Sequence, residues 1–218
     1  MERQIVLTED GSSTLYVSEI DECYHSSHGA IQESEHIFIK AALEHHASKR
    51  LSVLEVGFGS GLNALLTLRC AKRNNLTIRY TGIEKYPLTM NEVGQLNYAC
   101  DDQDKEIFMQ MHSLSFGVTA SLTPYFSLCK LHTDFVSVDL SSSIFDIVYM
   151  DAFSPEKQPE LWTQDSMKRL YDSMRIGGIL TTYCAKGYVR RNLQSVGFEV
   201  ERLPGPPGKR EMLRATKR

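Results

Sequence analysis

Three glycines at alternate positions and three strand-end acids are the residues of this sequence whose types and spacing suggest chemistry. The glycines stand in Glu55-Val56-Gly57-Phe58-Gly59-Ser60-Gly61-Leu62-Asn63. Without a Cβ they allow a tight turn and let a ligand approach the backbone closely. The pattern is G-x-G-x-G. It lacks the G-x-G-x-x-G spacing of dinucleotide sites and the lysine of a P-loop, so no phosphate cradle is implied. Glu84 follows Gly57 by 27 residues, where a carboxylate can accept both hydroxyls of a ribose, with Lys85 beside it. Asp134 can accept from an amino group such as that of adenine. Asp151 opens Asp151-Ala152-Phe153-Ser154-Pro155, an acid on a proline-braced loop. Taken singly, each acid also reads as a helix cap or a surface charge. Their order along the chain is what gives them meaning.

For these groups to meet, the elements before them must deliver them to one edge. Each follows a short apolar run: residues 51–56, 77–83, 126–132 and 145–150, with a fifth at 178–183. The run at 145–150 is nearly unbroken, which predicts a central parallel strand buried on both faces. Between the runs the spacing predicts helices over 62–72 and 87–98. Another places Met167, Leu170, Tyr171 and Met174 on one face and closes at Arg175 and Gly177, and a last one covers 188–196. Residues 198–202 and 211–215 read as a terminal strand pair. Alternating strand and helix with short connections predicts an α/β fold, Rossmann-like, with a doubly wound, mostly parallel sheet that binds ligands beyond the carboxyl ends of its strands. Residues 1–50 read as an extension packed on a 51–218 domain. It holds a hairpin around Asp10-Gly11, a polar loop at 23–29, and a helix over 31–47 with Ile37, Phe38, Ala41 and Ala42 as its stripe.

Composition narrows the setting. The chain has 218 residues and a net charge of −3, enough for one large domain. Residues 1–185 carry 15 basic and 24 acidic side chains, whereas residues 186–218 carry nine basic and three acidic ones, so the two parts stand at −9 and +6. The basic end is either a solvated tail or the footprint of a polyanion. Five cysteines without a CxxC pair argue against a disulfide framework or a cysteine-rich zinc site, which suits a reducing, cytoplasmic setting. No apolar run reaches the ~18 residues of a membrane helix, and the start lacks a basic-then-apolar leader.

The glycine loop, the ribose acid and the acid after the third strand together resemble the S-adenosylmethionine-dependent methyltransferases. The resemblance sharpens at Asp151-Ala152-Phe153-Ser154-Pro155-Glu156-Lys157-Gln158-Pro159-Glu160-Leu161-Trp162. This block is similar to the D-G/A-F-x-P-x-K-N-P-x-M/L-W signature of the tRNA (5-methylaminomethyl-2-thiouridine) methyltransferases, known as the methyltransferase half of bifunctional MnmC and as stand-alone MnmD. Glu84-Lys85-Tyr86-Pro87-Leu88-Thr89, the segment from Thr181 to Gly197, Gly208-Lys209-Arg210-Glu211-Met212-Leu213 and the stretch from Tyr24 to Ile39 resemble further family segments in order. Departures are Gln158 for the usual Asn, Cys184-Ala185-Lys186, and Gly205-Pro206-Pro207-Gly208.

The resemblance implies methyl transfer from S-adenosyl-L-methionine to the amine of 5-aminomethyl-(2-thio)uridine at the tRNA wobble position. Neither metal nor FAD is expected. No flavin oxidase domain follows in this sequence, so the upstream step would fall to a separate flavin-dependent oxidase. No membrane and no obligate protein partner are expected. Glu55, Gly57, Gly59, Gly61, Asn63, Glu84, Lys85, Asp134 and Asp151 are expected at the cofactor. Tyr24, Phe153, Lys186, Arg190, Arg191, Lys209 and Arg210 are expected at the substrate or tRNA. Asp151 is the expected catalytic residue. Reference values of about 3.9 for Asp and about 10.4 for a lysine-like amine make full proton abstraction uphill by ~9 kcal/mol, so Asp151 is expected to orient the amine and leave the proton to solvent. Trp162 reads either as a base-stacking ring or as packing for its loop. Cys23, His25 and His28 read as structural or lining residues, and His45-His46 as helix surface. A small-molecule amine methyltransferase, an aminopropyl transferase of the spermidine-synthase type and a non-catalytic RNA-binding scaffold are the competing readings. The basic end disfavours the first two, and the strand-end acids disfavour the third.

Overall fold

The computed structural model describes residues 2–140 and 142–218. The chain opens with a small antiparallel sheet of β1 (Arg3–Leu7), β2 (Ser13–Val17) and β3 (Glu22–Cys23). Its turn holds Gly11 at φ 80°, and Asp10 Oδ1 accepts from the Ser12 backbone N–H at 2.9 Å. Helix α1 (Ala30–Ser34) follows and runs on in wider turns over Glu35–Leu43, where the Glu44 N–H reaches back five residues to the Ile39 carbonyl. An α-helical stripe of Ile37, Phe38, Ala41 and Ala42 is the sequence expectation. The wider winding instead buries the contiguous Ile37, Phe38 and Ile39 together with Ala42 and Leu43, since three successive apolar residues cannot share one face of an ordinary helix.

The main sheet is built from β4 (Arg50–Val56), β5 (Thr77–Glu84), β6 (Thr119–Thr123), β7 (Phe126–His132), β8 (Phe145–Met150), β9 (Met174–Thr182), β10 (Phe198–Pro204) and β11 (Glu211–Lys217). Its strand order is β10-β11-β9-β8-β4-β5-β7-β6. The central five strands are parallel, while β6, β10 and β11 join antiparallel. From β4 the chain winds one way to β5 and β7, then returns to lay β8 and β9 on the other side, so the topological switch falls between β4 and β8. All six residues of β8 are buried, Asp146 included, as its nearly unbroken apolar run predicts. Two clusters sandwich the sheet, one centred on Leu65, Tyr80 and Tyr149 and the other on Val148, Trp162 and Leu170.

The helices are α2 (Leu62–Asn74), α3 (Met90–Val93), α4 (Asp102–Ser113), α5 (Gln164–Ser173) and α6 (Gly187–Ser195). The long helix expected over 87–98 shrinks to α3. Thr89 and Glu92 form a capping box at its start, and Asn97 leaves the helical path to accept from Ser13 N–H at 2.7 Å and donate to the Gly11 carbonyl at 2.8 Å. Tertiary bonds to the hairpin outweigh local propensity there. The helix expected to close at Arg175 and Gly177 stops at Ser173. Met174 already pairs with Phe145, and Gly177 at φ 79° lies in the irregular stretch before Ile179 pairs with Ile147. Among the described residues no helix is long and apolar enough to cross a membrane.

Candidate active site

The carboxyl ends of β4, β5, β7 and β8 converge on a cavity of about 280 Å³. At the switch point Gly57 N–H donates to the Ile83 carbonyl at 3.1 Å, and Asp151 N–H donates to the Val56 carbonyl at 3.0 Å. Gly57 holds φ 91°, and a Cβ there would overlap the Asp151 carbonyl oxygen. Gly59, at φ 51°, has the Tyr24 ring 3.2 Å from where its Cβ would stand. These glycines leave room that any side chain would fill.

Glu84 braces the loop. Its Oε2 accepts from Gly59 N–H and its Oε1 from Tyr86 N–H, both at 2.7 Å, and each oxygen keeps a further acceptor direction. Asp134 accepts from Lys85 Nζ at 2.7 Å and from Val136 N–H at 3.1 Å. Burial works to raise its carboxyl, but Lys85 and that N–H outweigh it and hold the group below the usual range.

Asp151 forms the floor. Its Oδ2 accepts from Asn63 Nδ2 at 2.7 Å, and no cation is bonded to it among the described residues. Burial first, and then the neighbouring Glu33 carboxylate, push its carboxyl up to about 7, against the opposing pull of Asn63 and Lys209. After Asp151 the chain is pinned on three sides. Tyr183 Oη donates to the Ala152 carbonyl at 2.9 Å, Gln158 Oε1 accepts from Phe153 N–H at 3.1 Å, and Glu22 accepts from Ser154 N–H at 3.0 Å and Ser154 Oγ at 2.8 Å. Trp162 is 1% exposed and donates to the Phe153 carbonyl at 2.9 Å. It packs the loop and has no face free for a base.

The N-terminal extension supplies the roof. Tyr24 meets Phe153 edge to face at 5.1 Å and accepts from Arg3 Nε at 2.9 Å. Glu33 on α1 accepts from Ser26 N–H at 2.8 Å and pairs with Lys209, whose ammonium lies 4.1 Å from the Tyr183 ring centre. His25 lines the cavity as well, and burial drives its imidazole down to about 4, so it is neutral. Glu22, Glu33, Gln158, Glu160 and Tyr183 are cavity residues that the sequence reading did not put in the site. For Glu33 the signal available was its place in the Tyr24–Ile39 resemblance. Gln158 and Glu160 stand in the Asp151–Trp162 block and Tyr183 in the Thr181–Gly197 segment, whereas Glu22 carried no signal.

The structure brings Gly57, Gly59, Glu84, Lys85, Asp134, Asp151, Tyr24, Phe153 and Lys209 to one cavity. Glu55, Gly61 and Asn63 stand behind its wall: Glu55 is 1% and Asn63 2% exposed. Gly61, at φ 73°, instead starts α2.

The basic end is not the open field that its +6 suggests. Lys186 pairs with Glu156, Arg202 with Glu211, Lys209 with Glu33, Arg214 with Glu201 and Arg218 with Glu199, and Lys217 donates to the Tyr171 and Met174 carbonyls at 2.8 Å. Among the described residues only Arg190, Arg191 and Arg210 of this segment lack such a partner, and the Nε of Arg190 is buried without one. Lys209, expected on a tRNA phosphate, turns inward because Glu33 offers its counter-charge at the cavity.

Residues 126–218 match the family described as S-adenosyl-L-methionine-dependent methyltransferase. The "tRNA 5-methylaminomethyl-2-thiouridine biosynthesis bifunctional protein MnmC" of Cupriavidus metallidurans is 31% identical over 225 residues, which cover 95% of this chain and 33% of that protein. The crystal structure of MnmC2 from Aquifex aeolicus superposes with a TM-score of 0.82 at 28% identity, covering 100% of this chain and 70% of that one. Over nearly its whole length the chain resembles one part of the MnmC proteins. It spans about a third of the length of the curated MnmC relatives it matches, such as 34% for that of Leptospira interrogans. Spermidine synthase from Thermotoga maritima superposes with a TM-score of 0.60 at 12% identity, a likeness of fold alone. The chain has the fold of the S-adenosyl-L-methionine-dependent methyltransferases.

Proposed function

We propose that this protein transfers the methyl group of S-adenosyl-L-methionine to the primary amine of 5-aminomethyl-(2-thio)uridine at the tRNA wobble position. Asp151 carries the reading: it is a cavity-floor carboxylate with no cation bonded to it, set where an amine can reach it. Six acids line the cavity (Glu22, Glu33, Glu84, Asp134, Asp151 and Glu160) against two lysines, Lys85 and Lys209, each already paired. That balance suits a sulfonium and an amine and repels phosphate.

The residues fit the cofactor. Glu84 would accept the ribose hydroxyls, Asp134 the adenine amino group, and the glycine backbone would pass beside the methionine part. Bound S-adenosyl-L-methionine supplies an electrophilic methyl on sulfur. Asp151 accepts an N–H of the incoming amine and fixes its lone pair toward the cavity, while Tyr24 and Phe153 restrict its approach and exclude water. Near-attack alignment of this kind supplies much of the acceleration in such transfers. With Asp151 near 7, the gap to a lysine-like amine narrows to roughly 3.5 units, or about 5 kcal/mol. The transfer remains uphill, so Asp151 acts as the orienting acceptor and the proton leaves to solvent.

The deciding assay is tritium transfer from labelled S-adenosyl-L-methionine to tRNA lacking this modification, beside spermidine and bulk protein. Label entering spermidine instead of tRNA would overturn the substrate assignment. For the cofactor, Glu84→Ala is expected to weaken binding by about 1.5 to 3 kcal/mol, with a smaller loss for Asp134→Ala, whose carboxylate is already engaged by Lys85. Unchanged calorimetric affinity in a folded Glu84→Ala protein removes Glu84 from the site. For tRNA, Arg191 and Arg210, which have no carboxylate partner among the described residues, are the expected phosphate contacts. Their joint change to Ala should flatten log K against log salt by about one to two units and leave cofactor affinity intact. A slope that does not move places the tRNA elsewhere.

A further inference from the structure

We propose that Asn63 is a positioning residue for methyl transfer. Its side-chain amide clamps the Asp151 carboxylate to the buried Glu55, so that the second oxygen of Asp151 is held out toward the reacting amine. The inference rests on the amine-methylating reading above and concerns a residue that does not line the cavity.

Asn63 sits in the first turn of α2. Its Nδ2 donates to Glu55 Oε1 at 2.8 Å and to Asp151 Oδ2 at 2.7 Å, which uses both amide hydrogens. The other Glu55 oxygen accepts from Tyr80 Oη at 2.8 Å. Asn63 Oδ1 is buried with no partner among the described residues. Packing alone gives no reason to keep an orphaned carbonyl there, because an apolar side chain would avoid it. Turning the amide over to seek a partner would set its carbonyl against two carboxyl oxygens. The two donated bonds thus fix the orientation, and Asp151 Oδ1 accepts no bond from the described residues and is left for a ligand.

The charges agree with a clamp. The groups facing Asp151 are Glu33 from α1, Lys209 from the loop before β11, Tyr183 after β9, and Glu55 across Asn63. Burial, and then the Asp151 charge, push Glu55 well above the usual carboxyl range. The Asn63 bond favours the carboxylate form of Asp151, opposing the burial that raises it.

Asn63→Ala is expected to leave calorimetric S-adenosyl-L-methionine affinity within about threefold while kcat on tRNA falls by about 10- to 100-fold. In the ligand-free protein, the Asp151 titration followed by carboxyl carbon NMR should move up by about half to one pH unit, because a donated bond to the charged form is lost. In an Asp151→Asn background the same change should cost less than about twofold in rate. Asn63→Ser, which keeps one donor, carries the same readouts if the alanine variant does not fold. Cofactor affinity that falls in step with rate, an unmoved titration, or an undiminished cost in the Asp151→Asn background would each overturn the clamp. Wild-type protein that fails to methylate tRNA overturns the functional reading alone, since titration and calorimetry still decide for or against Asn63.

Discussion

Asp151→Asn is expected to reduce single-turnover methylation by about 100-fold or more while making the folded protein more stable. The rate falls because an amide is a weaker acceptor than a carboxylate and orients the amine less firmly. The stability gain follows from linkage. In the fold, burial and Glu33 hold the Asp151 carboxyl near 7, whereas its ordinary value is 3.8. Between those two values the folded state binds a proton that the unfolded chain has released, so rising pH costs stability across that window, with the full penalty present above 7. Replacing the acid should raise stability by about 1 to 3 kcal/mol at pH 8 and by almost nothing below pH 4. Paired thermal or urea unfolding at the two pH values measures it. Equal effects at both would mean that Asp151 is not held protonated by its surroundings. A rate that survives with collapsed cofactor affinity would make it a binding residue only.

Gly57→Ala should be the most damaging single-methyl change in the site. The backbone there is at φ 91°, and the added carbon meets the Asp151 carbonyl oxygen, which cannot rotate away. Gly117 offers an internal comparison, at φ 76° with nothing within 4 Å. Strain alone should cost Gly117→Ala about 1 kcal/mol, whereas Gly57→Ala carries strain and overlap for about 2 to 4 kcal/mol and separates β4 from β8 at the switch point. Cofactor affinity should drop by at least about tenfold in the first variant and stay unchanged in the second, as read by calorimetry beside urea unfolding. Equal destabilisation of the two would show that the β4–β8 crevice yields to the methyl group.

Much of the parallel core was legible because each acid ends an apolar run, and a buried parallel strand needs such a run. Segments whose order comes from distant partners were not. Helix α4 buries only Phe108 and Met111, too little apolar pattern to announce a helix, and the edge strand β6 has no fully buried residue. The site divides in the same way. Glu84, Asp134 and Asp151 stand directly at or after strand ends and could be named from position. Glu22 and Tyr183 join the cavity through loops whose paths depend on packing. In the charge run near the C-terminus, Lys186 and Lys209 could not be placed for a related reason, since their partners Glu156 and Glu33 lie far off in sequence.

The roof of the cavity is made where the two ends of the chain meet. Lys209 and Glu33 are 176 positions apart, and the sheet that carries one must be complete before the other can find it. Closing so long a loop is an entropic cost met only after the intervening strands have paired. The binding site is therefore a late product of folding and an early casualty of local opening. A fluctuation that frees either terminus removes the roof while the β4–β8 core persists, and ligand bound beneath it holds both ends down together, tying hydrogen-exchange protection at residues 22–33 to that at 205–211.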